Sequence, residues 1–175
     1  PDHVISDGSV ISGPNWSLRA VYTPGHMSNH YCFGLKDKNI LFSGDHVMGW
    51  NTTIVSPPDG NMQDYLQSLR ICLDRDETLY LPGHGPEIRN THRFVQAYLN
   101  HRLTREHEIT KCLKNGINTI PDMVRSMYNH LPTKMHAAAA RSVLAHIEHM
   151  AETKRIEYEG TLDYDTIFYP GETHR

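Results

Sequence analysis

The chain has 175 residues and a mass of 20.0 kDa, with 38% hydrophobic and 21% charged residues. This length and composition predict a water-soluble globular protein, either one domain or a domain with a small appendage. No apolar run approaches the roughly 20 residues that span a bilayer, so no membrane partner is expected. The net charge of -3 excludes a chain that is basic throughout.

The charge is unevenly distributed along the chain. Between Asn100 and Arg155 there are nine Lys and Arg against five Asp and Glu, which gives that segment +4 and the remainder -7. This asymmetry predicts two units with different partners. The three cysteines are widely spaced and odd in number, which favours a reducing, cytoplasmic setting over a disulfide framework.

The first hundred residues predict short strands separated by turns, with one helix among them. The expected elements, in chain order, are a hairpin at 3–11 around Asp7-Gly8, a strand at 16–23, a hairpin at 31–44, a helix at 61–74 capped by Asp59 or Asn61, and a strand at 78–83.

The period of the pattern becomes helical after residue 90. The expected elements are a helix from a Thr91 cap to Asn115-Gly116, a short helix capped by Thr119, an Ala-rich helix at 136–154, and a hairpin at 155–169. Three helices followed by a β-hairpin is the element order of a winged-helix module. We therefore expect one domain over residues 1–100 and a second over 101–170.

Three side chains that can bind metal follow predicted strands at equivalent positions. His26, Asp45 and His84 each come just after the end of a short apolar strand, and each is preceded by a glycine. Each one alone has an ordinary structural interpretation, as an exposed turn histidine or a turn-capping aspartate. If the strands share a sheet, however, the three tips converge. Two imidazoles and a carboxylate suit zinc, with iron or manganese as alternatives.

The motifs at these positions resemble those of a known family. "TPGH", "FSGDH" and "LPGHGP" are similar, in order and rough separation, to the third, fourth and fifth ligand motifs of the metallo-β-lactamase-fold hydrolases. The resemblance covers nearly the whole chain, and residues 42–69 with the trailing helices resemble the lactamase-beta-2-like branch. It implies an α/β fold: the C-terminal half of an αββα sandwich over 1–100, then a small winged-helix-like α+β domain over 101–170.

The resemblance also implies roles for individual residues. His26 would bind the first of two divalent metal ions, His84 the second, and Asp45 both, with a metal-bridging hydroxide as the attacking group. His30 matches a recurrent family histidine, for which we expect a hydrogen-bonding role beside the site. Met27 stands where the family usually has Thr, a change that removes no ligand.

One family motif is absent. The His-x-His-x-Asp-His stretch that supplies further ligands to each metal has no counterpart in this sequence. We therefore expect this chain to be the C-terminal part of a longer hydrolase whose N-terminal half is its partner. Taken alone it should bind metal weakly and be catalytically inactive.

The substrate is left between two classes. The resemblance implies either a phosphodiester in single-stranded RNA or a small ester or thioester. Five cations could follow a phosphate backbone, or could be solvated helix faces: Lys111, Lys114, Arg125, Lys134 and Arg141. A non-catalytic scaffold or a nucleic-acid-binding winged helix is the alternative to an enzyme, and a homo-oligomer is left open.

Overall fold

The computed structural model describes residues 2–171 and divides the chain into two units. The first unit comprises the residues up to Ile54 together with Asp59–Asn100, and the second comprises Val55–Pro58 together with the residues from His101 onward. No helix within residues 2–171 combines the length and the apolarity that crossing a bilayer requires.

A five-stranded sheet forms the frame of the first unit. Its strands are β1 (Val10–Gly13), β2 (Trp16–Tyr22), β3 (Tyr31–Leu35), β4 (Ile40–Gly44) and β5 (Leu79–Pro82), in that spatial order. Neighbours from β1 to β4 are antiparallel, and β4 and β5 are parallel. Strands β2, β4 and β5 consequently run in the same direction, and their carboxyl ends lie at one edge of the sheet.

Helix α1 (Met62–Leu73) covers one face of this sheet. It begins at Asn61, whose side chain accepts a hydrogen bond from the Asp64 backbone, so Asn61 is the cap of the two expected candidates. Its apolar residues recur at helical spacing and are buried. The Tyr80 hydroxyl of β5 donates to the Cys72 carbonyl at 3.1 Å and ties the helix to the sheet.

The opposite face of the sheet is apolar and open to solvent in the described part of the first unit. Because side chains alternate along a strand and paired residues share a face, the register places a single apolar set on this side. Four of its members are 38–45% exposed: Ile11, Trp16, Tyr22 and Phe42. In folded domains an apolar sheet face of this kind is normally covered by a second layer.

Two expected local details are wrong. No hairpin forms around Asp7-Gly8, because the Asp7 carboxylate accepts from the Tyr22 backbone and Gly8 donates to Ala20. The hairpin instead pairs β1 with β2 across Pro14-Asn15. Thr91 is the first residue of its helix, and its hydroxyl donates to the Glu77 carbonyl.

The second unit contains helices and one hairpin. The boundary between the units falls within α2 (Thr91–Lys114); α3 (Ile120–Met127) and α4 (His136–Glu152) follow, then β6 (Ile156–Tyr158) pairs with β7 (Phe168–Pro170). These elements enclose one buried apolar cluster: Ile109, Cys112, Leu113, Ile120, Met123, Val124, Ala139, Val143, Ile147, Met150, Ile156 and Phe168. The order of three helices and a hairpin agrees with the prediction.

A charged cluster lies within the second unit. The Glu106 carboxylate is 3% exposed and accepts hydrogen bonds from His149 Nδ1 at 2.7 Å and from the Arg155 guanidinium at 2.6 Å, with His146 Nδ1 at 3.5 Å. Burial alone would raise the pKa of Glu106. The hydrogen bonds from the three partners outweigh burial and hold that pKa well below its usual range.

Candidate metal centre

The structure brings the three predicted ligand residues to one edge of the first unit. His26 follows β2 after the turn Thr23-Pro24-Gly25, Asp45 follows β4 directly, and His84 follows β5 after Gly83. Because β2, β4 and β5 run in the same direction, these positions meet. The convergence expected from the sequence is therefore present in the fold, whereas the ligand role of each residue stays a prediction.

Asp45 faces the two imidazoles with different oxygens. Its Oδ2 lies 3.9 Å from His26 Nε2, and its Oδ1 lies 3.6 Å from His84 Nε2. Both distances are somewhat longer than the about 3.4 Å that separates two donors sharing a tetrahedral zinc ion. A carboxylate that offers one oxygen to each side has the arrangement that a bridging ligand needs.

The ring of His26 is held in one tautomer by the backbone. Its Nδ1 lies 2.6 Å from the Ile54 carbonyl oxygen, which can only accept, so Nδ1 carries the hydrogen. In the neutral ring, Nε2 then keeps its lone pair on the side of Asp45. A histidine fixed in this way by a carbonyl is typical of metal ligands in proteins.

His84 is positioned by an adjoining loop and by a close backbone approach. The Gly49 backbone donates to the His84 carbonyl at 2.8 Å, and the Trp50 ring lies parallel to the imidazole, with centroids 6.1 Å apart. A side chain at position 83 would place its Cβ 2.6 Å from Asp45 Oδ1. Glycine at 83 is therefore required for the carboxylate to lie where it does.

The backbone at Asp45 is held by hydrogen bonds from buried side chains. The buried Thr53 hydroxyl contacts the Asp45 carbonyl at 2.7 Å and the His46 carbonyl at 3.1 Å. The Tyr65 hydroxyl also donates to the His46 carbonyl, at 2.9 Å. These bonds fix the turn that follows β4 and leave the Asp45 side chain 35% exposed.

His30 lies beside the three residues and not among them. Its Nδ1 is 2.9 Å from the Thr23 hydroxyl, and a Cβ at Gly44 would lie 2.7 Å from its Nε2. Burial, and then the neighbouring His26, lower the pKa of His30, so the ring is neutral at pH 7. This placement supports the expected hydrogen-bonding role, which stays a prediction.

The donor chemistry fits a divalent metal ion, but the set is incomplete. Two imidazole nitrogens and a carboxylate are ligands that zinc accepts. Within residues 2–171, however, no group of three or more His, Cys, Asp and Glu lies close enough together to hold a metal ion. Two ions would need more ligands than these three side chains supply.

Comparisons with known proteins agree with this architecture. Residues 1–84 match the family model of the metallo-beta-lactamase superfamily, and residues 119–164 match that of the beta-lactamase associated winged helix domain. A beta-lactamase-like protein 2 homolog from Caenorhabditis elegans is 34% identical over 142 residues. The chain belongs to the metallo-β-lactamase superfamily.

Two solved structures confirm the predicted fold class of this metallo-β-lactamase-superfamily chain. A beta-lactamase domain protein from Burkholderia ambifaria matches 97% of the chain at a TM-score of 0.84 and 22% identity, with 52% of its own length covered. A metallo-beta-lactamase family protein from Thermus thermophilus matches 95% at a TM-score of 0.80 and 19% identity, with 53% covered.

Relatives of this superfamily chain include a named enzyme. A protein from Aspergillus fumigatus called an atrochrysone carboxyl ACP thioesterase is 32% identical over 140 residues, which are 73% of this chain and 43% of that protein. The match to the Caenorhabditis elegans protein covers 81% of this chain and 47% of the relative. The chain spans about half the length of the curated relatives that it matches.

The five cations predicted to bind nucleic acid are only partly brought together. Arg125 of α3 and Arg141 of α4 line one groove of about 680 Å³ within the second unit. The other three, Lys111, Lys114 and Lys134, do not line it. Arg125 is also paired with Asp122, so the groove has less positive charge than the sequence indicated.

The structure adds residues that the sequence analysis missed. Trp50 and the Ile54 carbonyl contact the rings of His84 and His26, and Tyr98 supports the same loop from a residue distant in sequence. A tryptophan is unusual in a loop rich in Gly, Asn and Thr, and this feature of the sequence could have indicated a functional role for Trp50. The backbone carbonyl and the long-range tyrosine contact leave no mark in a single sequence.

Proposed function

We propose that this chain is the C-terminal part of a metal-dependent hydrolase that cleaves a thioester or a related ester. The observation that carries the proposal is the Asp45 carboxylate, which faces the Nε2 atoms of His26 and His84 with separate oxygens. Superfamily membership supports a hydrolase-type fold. Metal dependence and the substrate class are the proposed steps beyond it.

The residues divide the work of the proposed centre as follows. His26 and His84 would each hold one divalent ion, most readily zinc, with iron or manganese as alternatives, and Asp45 would contact both. Such ions supply activation of water at neutral pH and stabilisation of negative charge on the attacked carbonyl. The Ile54 carbonyl keeps the His26 lone pair directed at the site, and Thr53 keeps the Asp45 backbone in place.

In this reaction water adds its oxygen to the acyl carbon while the carbon–sulfur bond breaks. The leaving sulfur takes a proton, so that the products are an acid and a thiol. The exposed His84, with 58% of its side chain open to solvent, leaves room for a substrate to reach the site.

The proposed partner is the N-terminal half of the same fold. The apolar face that carries Ile11, Trp16, Tyr22 and Phe42 is suited to pack against a second sheet. The relatives are about twice as long as the region matched, and additional ligands would come from that half. Without it, this chain should bind metal weakly and lack activity.

The thioester is favoured over RNA as substrate. The relative named as an acyl-carrier-protein thioesterase is 32% identical, whereas Arg125, one of the two arginines in the second unit's groove, is neutralised by Asp122. A phosphodiester of single-stranded RNA is the second candidate, because Arg125 and Arg141 share that groove.

Cys32, Cys72 and Cys112 are free thiols, which supports a cytoplasmic location as part of the proposal.

Metal content and activity of the full-length protein test the proposal. We expect up to two divalent ions per chain, hydrolysis of a thioester panel, and loss of both in His26→Ala and Asp45→Ala. His107→Ala, which removes an exposed histidine of α2, is the matched control and should change neither. A metal-free protein whose behaviour is unchanged in His84→Ala would instead support the scaffold alternative. Cleavage of single-stranded RNA with no thioester hydrolysis would select the second substrate class.

A further inference from the structure

A recess with an apolar wall opens beside the candidate metal centre in the first unit. It has a volume of about 550 Å³ and is lined by Met48, Trp50, Asn51, Thr52, Ile54 and His84. Trp50 is 70% exposed and Ile54 is 63% exposed. Large apolar side chains left in solvent next to polar reactive groups are typical of a ligand-binding surface.

The exposure of Trp50 is fixed by the structure around it. The Tyr98 hydroxyl lies 2.6 Å from the Met48 carbonyl and also contacts the Asn51 carbonyl, so it holds the loop on both sides of Trp50. Gly49 is packed so tightly that a Cβ there would lie 2.1 Å from the Pro86 carbonyl oxygen. The indole is therefore presented by a fixed backbone, as a binding group requires.

The orientation of the indole indicates the shape of the group that it binds. Its plane is within 7° of the His84 imidazole plane. A further planar group can stack on the exposed part of the indole in the same parallel, offset way, because that part offers the same π-face. A flat ligand placed there would lie next to the proposed reacting atoms, since His84 belongs to both the recess and the centre.

The charge of the recess indicates the chemistry of that group. Of the described residues that line it, none is Lys or Arg, so it offers no cation to a phosphate backbone. Asn51 and Thr52 offer an amide and a hydroxyl instead. These groups suit a neutral ring with hydroxyl or carbonyl substituents better than a nucleotide.

We propose that this recess binds the acyl group of the substrate, that the acyl group is aromatic, and that Trp50 selects it. The inference rests on the proposed hydrolase function and names the substrate class of that site. Its binding step can be measured on the full-length protein independently of hydrolysis.

Calorimetric binding of 2-naphthoate, with cyclohexanecarboxylate as the non-planar comparison, tests the recess directly. We expect 2-naphthoate to bind more tightly than cyclohexanecarboxylate, Trp50→Ala to weaken 2-naphthoate about tenfold, and Trp50→Phe to retain most of the affinity. Tyr169→Ala, which removes an exposed aromatic side chain of β7, is the matched control and should leave binding unchanged. Equal affinity for the two acids, or no effect of Trp50→Ala, would overturn the inference.

Kinetics of the full-length protein separate this inference from the proposed function. We expect Trp50→Ala to raise the KM for a naphthoyl thioester about tenfold more than the KM for an acetyl thioester, because any change transmitted through His84 affects both substrates alike. An equal change for the two substrates would contradict the recess. Hydrolysis that is normal in Trp50→Ala for both substrates contradicts the recess and leaves the hydrolase proposal standing. Trp50-dependent binding of 2-naphthoate by a protein that hydrolyses no thioester would support the recess and contradict the hydrolase proposal. Trp50-dependent binding of a single-stranded oligonucleotide, with no binding of 2-naphthoate, would overturn the inference in favour of base stacking.

Discussion

The two units each contain a carboxylate with two nearby histidines, and the two sets differ in burial and in hydrogen bonding. In the second unit, Glu106 is buried and makes hydrogen bonds of 2.6 and 2.7 Å to Arg155 and His149. In the first unit, Asp45 is 35% exposed, and its nearest imidazole nitrogens lie at 3.6 and 3.9 Å. These distances are too long for hydrogen bonds.

The difference shows how a structural cluster can be distinguished from a candidate binding site with the same residue types. Glu106 has its acceptor capacity filled by donors of the same unit, and the cluster includes a guanidinium that would repel a cation. The Asp45 oxygens lie 3.9 Å from His26 Nε2 and 3.6 Å from His84 Nε2, and the neutral His26 ring keeps its Nε2 lone pair on the side of Asp45. The first arrangement is satisfied by hydrogen bonds within its own unit, and the second leaves a partly exposed carboxylate that a ligand could contact.

The largest expected effect is on activity, from Asp45→Asn in the full-length protein. The change keeps the size of the side chain and removes its charge, so we expect bound metal to be lost and hydrolysis to fall at least about a hundredfold. Stability of the present chain should change by less than about 0.5 kcal/mol, because Asp45 is partly exposed. Metal analysis, kinetics and urea unfolding measure the three quantities. A large loss of stability in Asp45→Asn would show that Asp45, like Glu106, has a structural role.

The largest expected effect on stability comes from Glu106→Gln. Arg155, His149 and His146 lose the buried anion that they share, which should cost about 3 kcal/mol in free energy of unfolding, although Arg155 itself is partly exposed. Glu108→Gln breaks the more exposed pair with Arg105 and should cost less than about 1 kcal/mol. Urea unfolding of the two variants compares them. Equal costs would show that burial of the cluster adds nothing.

The pH dependence of unfolding sharpens the same comparison. The folded pKa of Glu106 lies below its ordinary value of 4.5, so the unfolded chain takes up the proton first as the pH falls. Its contribution is therefore present above about pH 4.5 and is lost as the pH falls towards the folded pKa. We expect the stability difference between wild type and Glu106→Gln to narrow from pH 5 to pH 3. A constant difference over that range would contradict this account.

A smaller effect is expected from Thr53→Val. The buried hydroxyl contacts the carbonyls of Asp45 and His46, so its loss should loosen the turn after β4. We expect metal affinity of the full-length protein to fall about tenfold and chain stability by about 1 kcal/mol. Thr78→Val, at an exposed threonine that accepts from Asn39, is the control and should change neither. Unchanged metal affinity in Thr53→Val would show that the turn holds its shape without this bond.

The sequence predicted the order of the elements after residue 15 and the meeting of His26, Asp45 and His84. Short apolar strands ending at glycine are local signals. The meeting of the three residues was predicted on the condition that their strands share one sheet, and the structure shows that they do. The fold class was implied by the resemblance of these motifs to the metallo-β-lactamase-fold hydrolases, and it is confirmed. The hairpin expected at Asp7-Gly8 was wrong because both residues bond to β2, a contact between residues distant in sequence.

The contacts that hold the candidate site in place could not be predicted either, because they also join residues that are distant in sequence. Tyr98 contacts the loop about fifty residues upstream, and the Ile54 carbonyl reaches back to His26. A backbone carbonyl has no sequence identity, and a tyrosine on a helix face predicts burial without naming a partner. The cations of the second unit show the converse: their number was visible in the sequence, but the pairing of Arg125 with Asp122 was not.

Residues 47–54 touch all three members of the candidate centre and also form the wall of the recess. Thr53 contacts the backbone of Asp45, Ile54 contacts His26, and Trp50 contacts His84. A mutation that reshapes the wall for a new substrate will therefore disturb the donor groups as well. If the centre holds metal ions as proposed, evolution of a different substrate range would reduce metal retention, and variants that avoid this loss should show compensating changes around Tyr98.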